Sequence, residues 1–415
     1  MRSLFRFNLL AWVLELFTFA AFAGLRGTGD WGTDERPKNF RELILWRNPN
    51  GSSPLTALLS KMSSEKSDDP EFAWWEEELK PVRLQTNGVM NTTSTTVFVV
   101  QAETASISGG LNLVPGDVLQ VENGAEVSTP YEIIRVNGVA SDTTFDALRA
   151  QAGTSAAAIP DASRITRIGN VFSEGSTSPS VSNRNPTKKL NFAQIFKTAY
   201  DITETALLTR ARTGDPLKND KKRKMFDHAV SMEYAFIFGR ALETTGANNK
   251  PLRFTGGIRN FLSSNVTFFT TTPTETTFLN AVQPVWDFDA GGGNERIAFC
   301  GNGALTSLNK LAKAGMQVRV DEVVRLYGME LQRWILPQGT LFLRSHPLFN
   351  THGRYTNSML IIDPTALKYR YMRDTAIQDN IQAPDADEQK GQWLTECGLE
   401  IHHERTMAYL GNFLL

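Results

Sequence analysis

The chain is poor in cysteine and histidine, which limits the kinds of site it can build. Cys300 and Cys397 are its two cysteines among 415 residues, and it has five histidines. Two cysteines are too few for a disulfide framework or a cysteine-rich zinc site, so we expect folding in a reducing compartment with both thiols free and buried. His402 and His403 are adjacent, and on a strand their rings would point to opposite faces. We therefore predict no metal site and no cofactor.

The chain also lacks an excess of charge of either sign. It has 43 Lys and Arg residues against 44 Asp and Glu residues, a formal net charge of −1. No global field would draw such a chain to nucleic acid or to an acidic membrane, so any such contact must be local. The one dense basic cluster is Lys221, Lys222, Arg223 and Lys224. Cations near a helix start oppose the helix dipole; contact with nucleic acid or an acidic neighbouring subunit would compensate, and a solvated helix turn is the alternative.

An uninterrupted hydrophobic run of membrane-spanning length is missing too, although the N-terminal segment is strongly apolar. Glu15 interrupts the run and leaves fewer apolar residues than the roughly 20 that a spanning helix needs. Helical periodicity places Asn8, Glu15 and Thr18 in one polar stripe, with residues such as Trp12 and Phe19 around the rest. We interpret the segment as an arm that docks on a partner surface. A signal sequence and a membrane-surface helix are the alternatives.

Two adjacent tryptophans, Trp74 and Trp75, precede three consecutive glutamates, Glu76, Glu77 and Glu78. A glycosidase needs two carboxyl groups that face one bond across a cleft, whereas three consecutive side chains point in different directions. We predict that the tryptophans anchor a strand and that the glutamates meet solvent or basic residues of a neighbouring subunit.

Two glycine-rich stretches could be mistaken for anion-binding loops. Gly301-Asn302-Gly303 lies between a predicted strand and a predicted helix, but no third glycine and no Gly-Lys-Ser follow. Gly256-Gly257, within the stretch 253–258, could form a backbone nest for an anion. Turn chemistry explains both stretches better, so we predict tight turns and no small-molecule site.

Local patterns divide the rest of the chain into short helices, a β-rich segment, a long helix and an α/β region. Pro54 after a serine starts a helix, and 97–168 holds short β-branched runs separated by turns, typical of a small sheet or barrel. Strand alternation follows over 192–202. An Asp-Pro pair opens the longest helix, at about 215–245. Residues 253–390 alternate strands and helices, and a last predicted strand alternates through Leu399, Ile401, His403 and Arg405.

This order of elements resembles the Hong Kong 97 fold of tailed-phage major capsid proteins, and more specifically the phage SU-ten-type major head protein family. Each matching motif is short, and their order is the specific signal. The motifs are Ser53-Pro54-Leu55 with LLSK, Phe72-Ala73-Trp74, GDVLQV with YEIIRV, Ile168-Gly169-Asn170 with Glu174-Gly175, Asn191 to Phe196, Arg253 to Ile258, and TLFLRSHPLF.

The resemblance implies an α+β fold of the Hong Kong 97 type with five parts. These are an N-terminal arm (1–70), an extended loop (71–190) with an inserted β module at about 95–176, a peripheral domain (191–254) with a spine helix at about 215–245, an axial α/β domain (255–385), and returning peripheral strands (386–415).

The resemblance also implies a function without catalysis, cofactor, small-molecule substrate or membrane. The chain would self-assemble as hexamers and pentamers into an icosahedral shell around double-stranded DNA, bound without sequence specificity. It would belong to the virion and assemble in the host bacterial cytoplasm, with portal, scaffold and decoration proteins as further candidate partners. The interface candidates are Trp12, Phe19, Trp74, Trp75, Glu76 and Glu78, and the candidates for lumen or subunit contact are Lys221, Lys222, Arg223 and Lys224.

Two other classes of function compete with this one. A secreted β-rich enzyme or carbohydrate-binding protein would explain the signal-like start and an exposed tryptophan such as Trp74. Another phage structural part, a tail or decoration protein, would use the β module as its working domain.

Overall fold

Runs of strands, paired mostly antiparallel, are separated by a few helices in the computed structural model, which makes the fold α+β. The model describes residues 54–59, 64–77, 83–101, 113–122, 132–141, 143–179, 181, 185–209, 214–288, 293–315, 320–326, 329–351 and 353–413. Most of the predicted arm, with Trp12 and Phe19, lies outside these residues, and so does Glu78.

The helices are mostly short, with one exception of 23 residues. They are α1 (Pro54–Leu59), α2 (Glu204–Leu208), α3 (Pro216–Phe238), α4 (Ile258–Phe261), α5 (Glu275–Val282), α6 (Asn302–Gly315) and α7 (Pro347–Thr351). Helix α1 begins at Pro54, as predicted. Within the described residues, no helix is both long and apolar enough to cross a membrane.

The strands form several separate sheets. They are β1 (Ser64–Lys66), β2 (Glu71–Glu76), β3 (Arg83–Thr86), β4 (Thr96–Gln101), β5 (Asp117–Val121), β6 (Glu132–Ser141), β7 (Thr144–Leu148), β8 (Arg164–Asn170), β9 (Thr187–Phe192), β10 (Gln194–Thr203), β11 (Leu242–Thr245), β12 (Pro251–Phe254), β13 (Val266–Phe268), β14 (Glu295–Cys300), β15 (Val320–Leu326), β16 (Met329–Ile335), β17 (Thr340–Ser345), β18 (Met359–Ile362), β19 (Leu367–Gln378), β20 (Glu388–Ile401) and β21 (Ala408–Gly411).

Helix α3 packs against a four-stranded sheet of order β1-β19-β20-β10. Alternation in β10 buries Phe196 and Tyr200 on the helix side, as the pattern over 192–202 predicts. The helix contributes Met232, Phe236 and Ile237 to the same core. This layer is held together by a hydrophobic stripe on the helix that meets the inner face of the sheet.

Helix α3 starts where the sequence predicts and stops earlier than predicted. Asp215 caps it by accepting hydrogen bonds from the next turn, and Pro216 occupies the first helical position. It ends at Phe238, not at about residue 245. The chain leaves the helix at Gly239, where a side chain would collide with the carbonyl oxygens of Ala235 and Thr255.

The β module is a closed six-stranded barrel of order β3-β4-β7-β6-β5-β8. Its first strand begins at Arg83, before the predicted start at about 95, because β3 pairs with both β4 and β8 and so closes the barrel. A strand as short as β3 gives no clear pattern in the sequence. Side chains fill the interior: Leu84, Val97, Val99, Leu119, Val121, Ile134, Val136, Phe145, Ala147 and Ile165.

A seven-stranded sheet of order β13-β21-β18-β14-β17-β16-β15 forms the α/β part of the fold. Two predicted boundaries change here. Strand β19, assigned to the axial domain, belongs to the four-stranded sheet, whereas β21, assigned to the returning peripheral strands, belongs to the seven-stranded sheet. The chain therefore crosses between the two sheets more often than the domain prediction allows.

The predicted final strand is broken between Ile401 and Ala408. His403 adopts a left-handed backbone conformation with φ 48°. The carboxylate of Glu404 accepts hydrogen bonds from the backbone and hydroxyl groups of Ser263 and Ser264, which draws the chain away from β20. The strand continues as β21 in the other sheet.

Candidate functional site

Neither the cysteines nor the residue types that could ligate a metal form a reactive centre in the part of the chain that the structure describes. No group of three or more His, Cys, Asp and Glu residues there could hold a metal ion. Cys300 and Cys397 are free and buried, as predicted. Burial raises the pKa of Cys397 to about 12 and also raises that of Cys300, so neither thiol is a nucleophile near neutral pH.

Strand β14 passes into α6 through the single residue Gly301, so Asn302 and Gly303 already belong to the helix. A side chain at Gly301 would collide with the backbone of Thr356, and one at Gly303 with the amide of Asn357. The backbone N–H of Asn302 donates to Asn350 Oδ1 at 2.7 Å. The close strand-to-helix connection agrees with the interpretation as a tight turn between the two elements.

The backbone donors of the Gly256-Gly257 turn are also used within the chain. Thr255 N–H donates to Gln194 Oε1 at 3.0 Å, and Gly256 N–H donates to Asn191 Oδ1 at 2.6 Å. Gly257 N–H donates to the carbonyl of residue 239 at 2.9 Å. These three donors are already used and cannot form an anion nest; the stretch is an extended connection from β12 to α4.

Surfaces are therefore the remaining candidates, and the first includes the two tryptophans. Strand β2 pairs with β9 as a two-stranded ribbon, and its side chains alternate between faces. Trp74 is buried and packs on Phe261 and His402, with ring centroids 5.7 and 6.0 Å away. Trp75 projects from the opposite face and is 66% exposed. Only Trp74 anchors the ribbon, because adjacent strand residues face opposite ways.

Glu76 fixes the same ribbon through hydrogen bonds within the chain. It accepts from Trp74 Nε1 at 2.8 Å and from the backbone N–H of His403 at 3.2 Å. Its neighbour Glu77 is exposed. Sequence reasoning placed Glu76 where chains meet, and the structure gives it an intrachain role as a strand anchor.

The outer face of the β2–β9 ribbon is apolar at its centre. It presents Ala73, Trp75 and Leu190, of which Leu190 is 39% exposed. Lys188, the direct cross-strand partner of Trp75, reaches along the same face to Glu71 in an exposed ion pair with 3.7 Å between Nζ and Oε1. Such an exposed patch of large apolar residues with a polar rim is typical of a protein interaction surface.

The basic cluster lies in the second turn of α3, and its members differ in their surroundings. Lys221 Nζ lies 3.0 Å from Asp379 and 5.3 Å from the centre of the Tyr200 ring. The hydrogen bond with Asp379 raises the pKa of Lys221. The Tyr200 hydroxyl also donates to Asp379, and Trp393 Nε1 donates to the backbone carbonyl of Lys221. Lys221 therefore fastens the helix start to the β19–β20 hairpin.

The other three members point to the surface of the helix. Arg223 pairs with Asp220 at 3.4 Å and Lys224 with Asp227 at 3.8 Å, both one turn apart on α3. Lys222 and Arg223 are exposed. Surface pairs of this kind are weak, so these cations can exchange partners when another anion approaches.

A buried glutamate, which sequence reasoning missed, joins α1 to α3. Glu233 accepts hydrogen bonds from the backbone N–H groups of Leu55 and Thr56, both at 2.7 Å, and lies 2.9 Å from His346 Nε2. The side chains of Glu233 and His346 are fully buried. Glu233 thus caps the start of α1, the segment through which the N-terminal part of the chain enters the core. Its position beside Met232 on the apolar stripe of α3 was the available signal.

Two of the solved structures that this chain resembles, at very low sequence identity, are capsids. The capsid of Myoviridae phage XM1 has a TM-score of 0.44 and 8% identity, with 94% of this chain and 100% of that chain covered. The capsid of a native GTA particle has a TM-score of 0.45 and 8% identity, with 92% and 96% covered.

Sequence comparison is more decisive. Residues 22–413 match the family model described as SU10 major capsid protein. The major capsid protein of Pseudomonas phage PaMx41 is 28% identical over 369 residues, which covers 85% of this chain and 83% of that protein. The chain belongs to the SU10 major capsid protein family. It is a major capsid protein of a phage, which sets aside the secreted enzyme, the carbohydrate-binding protein and the tail or decoration protein.

Proposed function

We propose that this capsid protein has a Hong Kong 97-like arrangement and self-assembles, as hexamers and pentamers, into an icosahedral shell around the double-stranded DNA of a tailed phage. The order of elements supports this proposal: a ribbon with a barrel, a long helix on a four-stranded sheet, and an α/β part follow each other as the resemblance implies. A structural role without catalysis fits the family.

The observation on which self-assembly rests most is the bare outer face of the β2–β9 ribbon. Trp75 is 66% exposed, although burial of a tryptophan side chain removes a large apolar area from water. Among the described residues, the packing of the ribbon on the rest of the chain is on its inner face, through Trp74. We propose that Trp75 contacts a neighbouring subunit, whereas Trp74 and Glu76 hold the ribbon in place for that contact.

Further contacts belong to the same proposal. The basic residues 222–224 face packaged DNA or an acidic surface of a neighbour, and their surface ion pairs exchange for the new partner. The arm, with Trp12 and Phe19, and the residue Glu78 contact neighbouring subunits. Assembly takes place in the host bacterial cytoplasm, with portal, scaffold and decoration proteins as candidate partners.

The test is assembly of the purified chain. We expect the full-length protein to form closed shells in negative-stain images and to sediment as large particles. Trp75→Ser should reduce the sedimenting fraction, because it removes an exposed interface anchor without touching the core. Val181→Ser, at a residue that is 82% exposed, is the matched control and should assemble like the wild type. A wild-type protein that stays monomeric alone and with its scaffold would contradict the proposal.

A further inference from the structure

The hairpin β11–β12 has an apolar face that the described part of the chain leaves exposed. The strands pair Leu242 with Phe254 and Thr244 with Leu252, so these four side chains share one face. Leu242 is 55% exposed, Leu252 47% and Phe254 40%. Three large apolar side chains next to each other on one small face form a patch, not scattered surface residues.

The opposite face of the hairpin carries its charges, and they neutralise each other. Arg253 Nε lies 2.7 Å from Glu243 Oε2. Neither charged group therefore needs a partner from another molecule. The apolar face is therefore free of charge at its centre, so a partner there would be held by apolar contact.

The base of the hairpin is fixed rigidly to the body. Gly239 and Gly257 allow the backbone at the end of α3 to touch the backbone after β12: a side chain at Gly257 would lie 2.6 Å from the Ala235 carbonyl oxygen. Asn191 bonds to both the N–H and the carbonyl of Gly256, at 2.6 and 2.9 Å. The face is thus held in one orientation, which lowers the entropy cost of docking.

The hairpin is nevertheless incomplete as a structural unit. Within the described residues, β11 and β12 pair only with each other. An isolated two-stranded hairpin is marginally stable in water unless a further strand or another surface covers one face. The described residues thus give the hairpin a rigid base and leave its apolar face without a cover.

The size of the face indicates which kind of partner it suits. A standard two-protein interface buries about 800 Å² per partner, far more than a face of four side chains can supply. The hairpin alone therefore cannot hold a dimer together. It suits a partner that is tied in place by many other contacts at once, which describes a second copy of this chain within a shell.

We propose that the Leu242, Leu252 and Phe254 face of the hairpin docks on a second copy of this chain as one of the repeated contacts of the shell. This inference rests on the proposed self-assembly and assigns it a further surface, separate from the Trp75 ribbon. On this proposal, the hairpin is exposed in the free subunit, where its amides are weakly protected from hydrogen exchange, and it is covered in the shell.

The test compares two double variants of the full chain. Leu242→Ser with Leu252→Ser changes the apolar face, and Glu243→Gln with Arg253→Gln changes the opposite face of the same hairpin. Both residues of the first pair are largely exposed, so the subunit should fold, which circular dichroism and thermal unfolding check. We expect the first variant to need about tenfold more protein for half-maximal assembly, as for loss of an interface anchor, and the control to match the wild type.

Hydrogen exchange of the wild-type protein keeps the test independent of any variant that fails to fold. Amides of residues 242–254 should exchange more slowly in purified shells than in free subunits. Equal exchange in both states, or equal assembly of the two double variants, would overturn the inference. Protection that arises only when another virion protein is added would also overturn it, because the partner would then not be a second copy. A wild-type chain that forms no shells would instead contradict the proposed function.

Discussion

Replacing Glu233 by glutamine should detach α1 from the core of the subunit. Each carboxylate oxygen of Glu233 accepts two hydrogen bonds: Oε1 from the Leu55 backbone and His346, and Oε2 from the backbone and hydroxyl of Thr56. Glutamine has nearly the same shape, but its NH₂ group is a donor and must replace one of the two oxygens. Whichever way the amide is placed, donors then face a donor.

The magnitude follows from the number of donors that lose their acceptor in a fully buried site. With the NH₂ group placed toward Thr56, the Thr56 hydroxyl can turn and accept from it, and the Thr56 backbone N–H is the donor left without an acceptor. One unsatisfied donor costs about 1–3 kcal/mol, so we expect a decrease of about 1–3 kcal/mol in the free energy of unfolding. The upper limit is the free energy of docking α1, since the helix can leave and expose Leu55, Leu58 and Leu59 to water.

Urea unfolding of unassembled subunits measures the decrease, and hydrogen exchange of Leu58 and Leu59 shows whether α1 has left the core. Glu243→Gln is the matched control, the same chemical change at a half-exposed carboxylate whose ion pair contributes at most about 1 kcal/mol. A Glu233→Gln subunit within about 0.5 kcal/mol of the wild type, with α1 still protected, would refute the reasoning.

Three further predictions concern pH, charge and the arm. Burial raises the pKa of Glu404, but hydrogen bonds from Ser263 and Ser264 outweigh it and hold the pKa below its ordinary 4.5. The stability that these bonds add is present above that value and is lost as pH falls through the lowered pKa. Between about pH 6 and pH 3, urea unfolding should therefore show a smaller decrease in stability for Glu404→Gln than for the wild type. Changing residues 222–224 to glutamine should lower DNA retention in filled shells, or assembly yield, and flatten its salt dependence, by about 0.9 in the logarithmic slope for each phosphate that is no longer neutralised. Deleting residues 1–26 should leave a foldable subunit that assembles poorly, measured by size-exclusion chromatography and microscopy.

Each of these has its own control. Lys221→Gln should destabilise the subunit more than it changes DNA retention, because Lys221 is fastened to Asp379. Glu77→Gln, at an exposed carboxylate, should leave the acid limb of the stability curve unchanged. Unchanged packaging and assembly in the 222–224 variant would leave the cluster as a solvated turn, and wild-type-like shells from the truncated chain would remove the docking arm.

Local signals in the sequence determined where several elements begin. Pro54 and the Asp-Pro pair at 215–216 start helices because a capping side chain and a fixed φ act on the residues next to them. Alternation over 192–202 gives a strand with the predicted buried face. The short motifs, taken in their order, were enough to identify the family, because each motif consists of a few consecutive residues.

Only the tertiary structure decided which elements meet. Strand β19 pairs in the four-stranded sheet and β21 in the seven-stranded sheet, and α3 ends at Phe238 because backbone from residues 255–257 packs against Gly239. Glu233 became a cap for α1 through contacts between residues far apart in the chain. Trp74 and Trp75 differ because the body covers one face of the ribbon and leaves the other bare. Neighbouring residues do not specify such contacts, because burial depends on which distant segment arrives on each face.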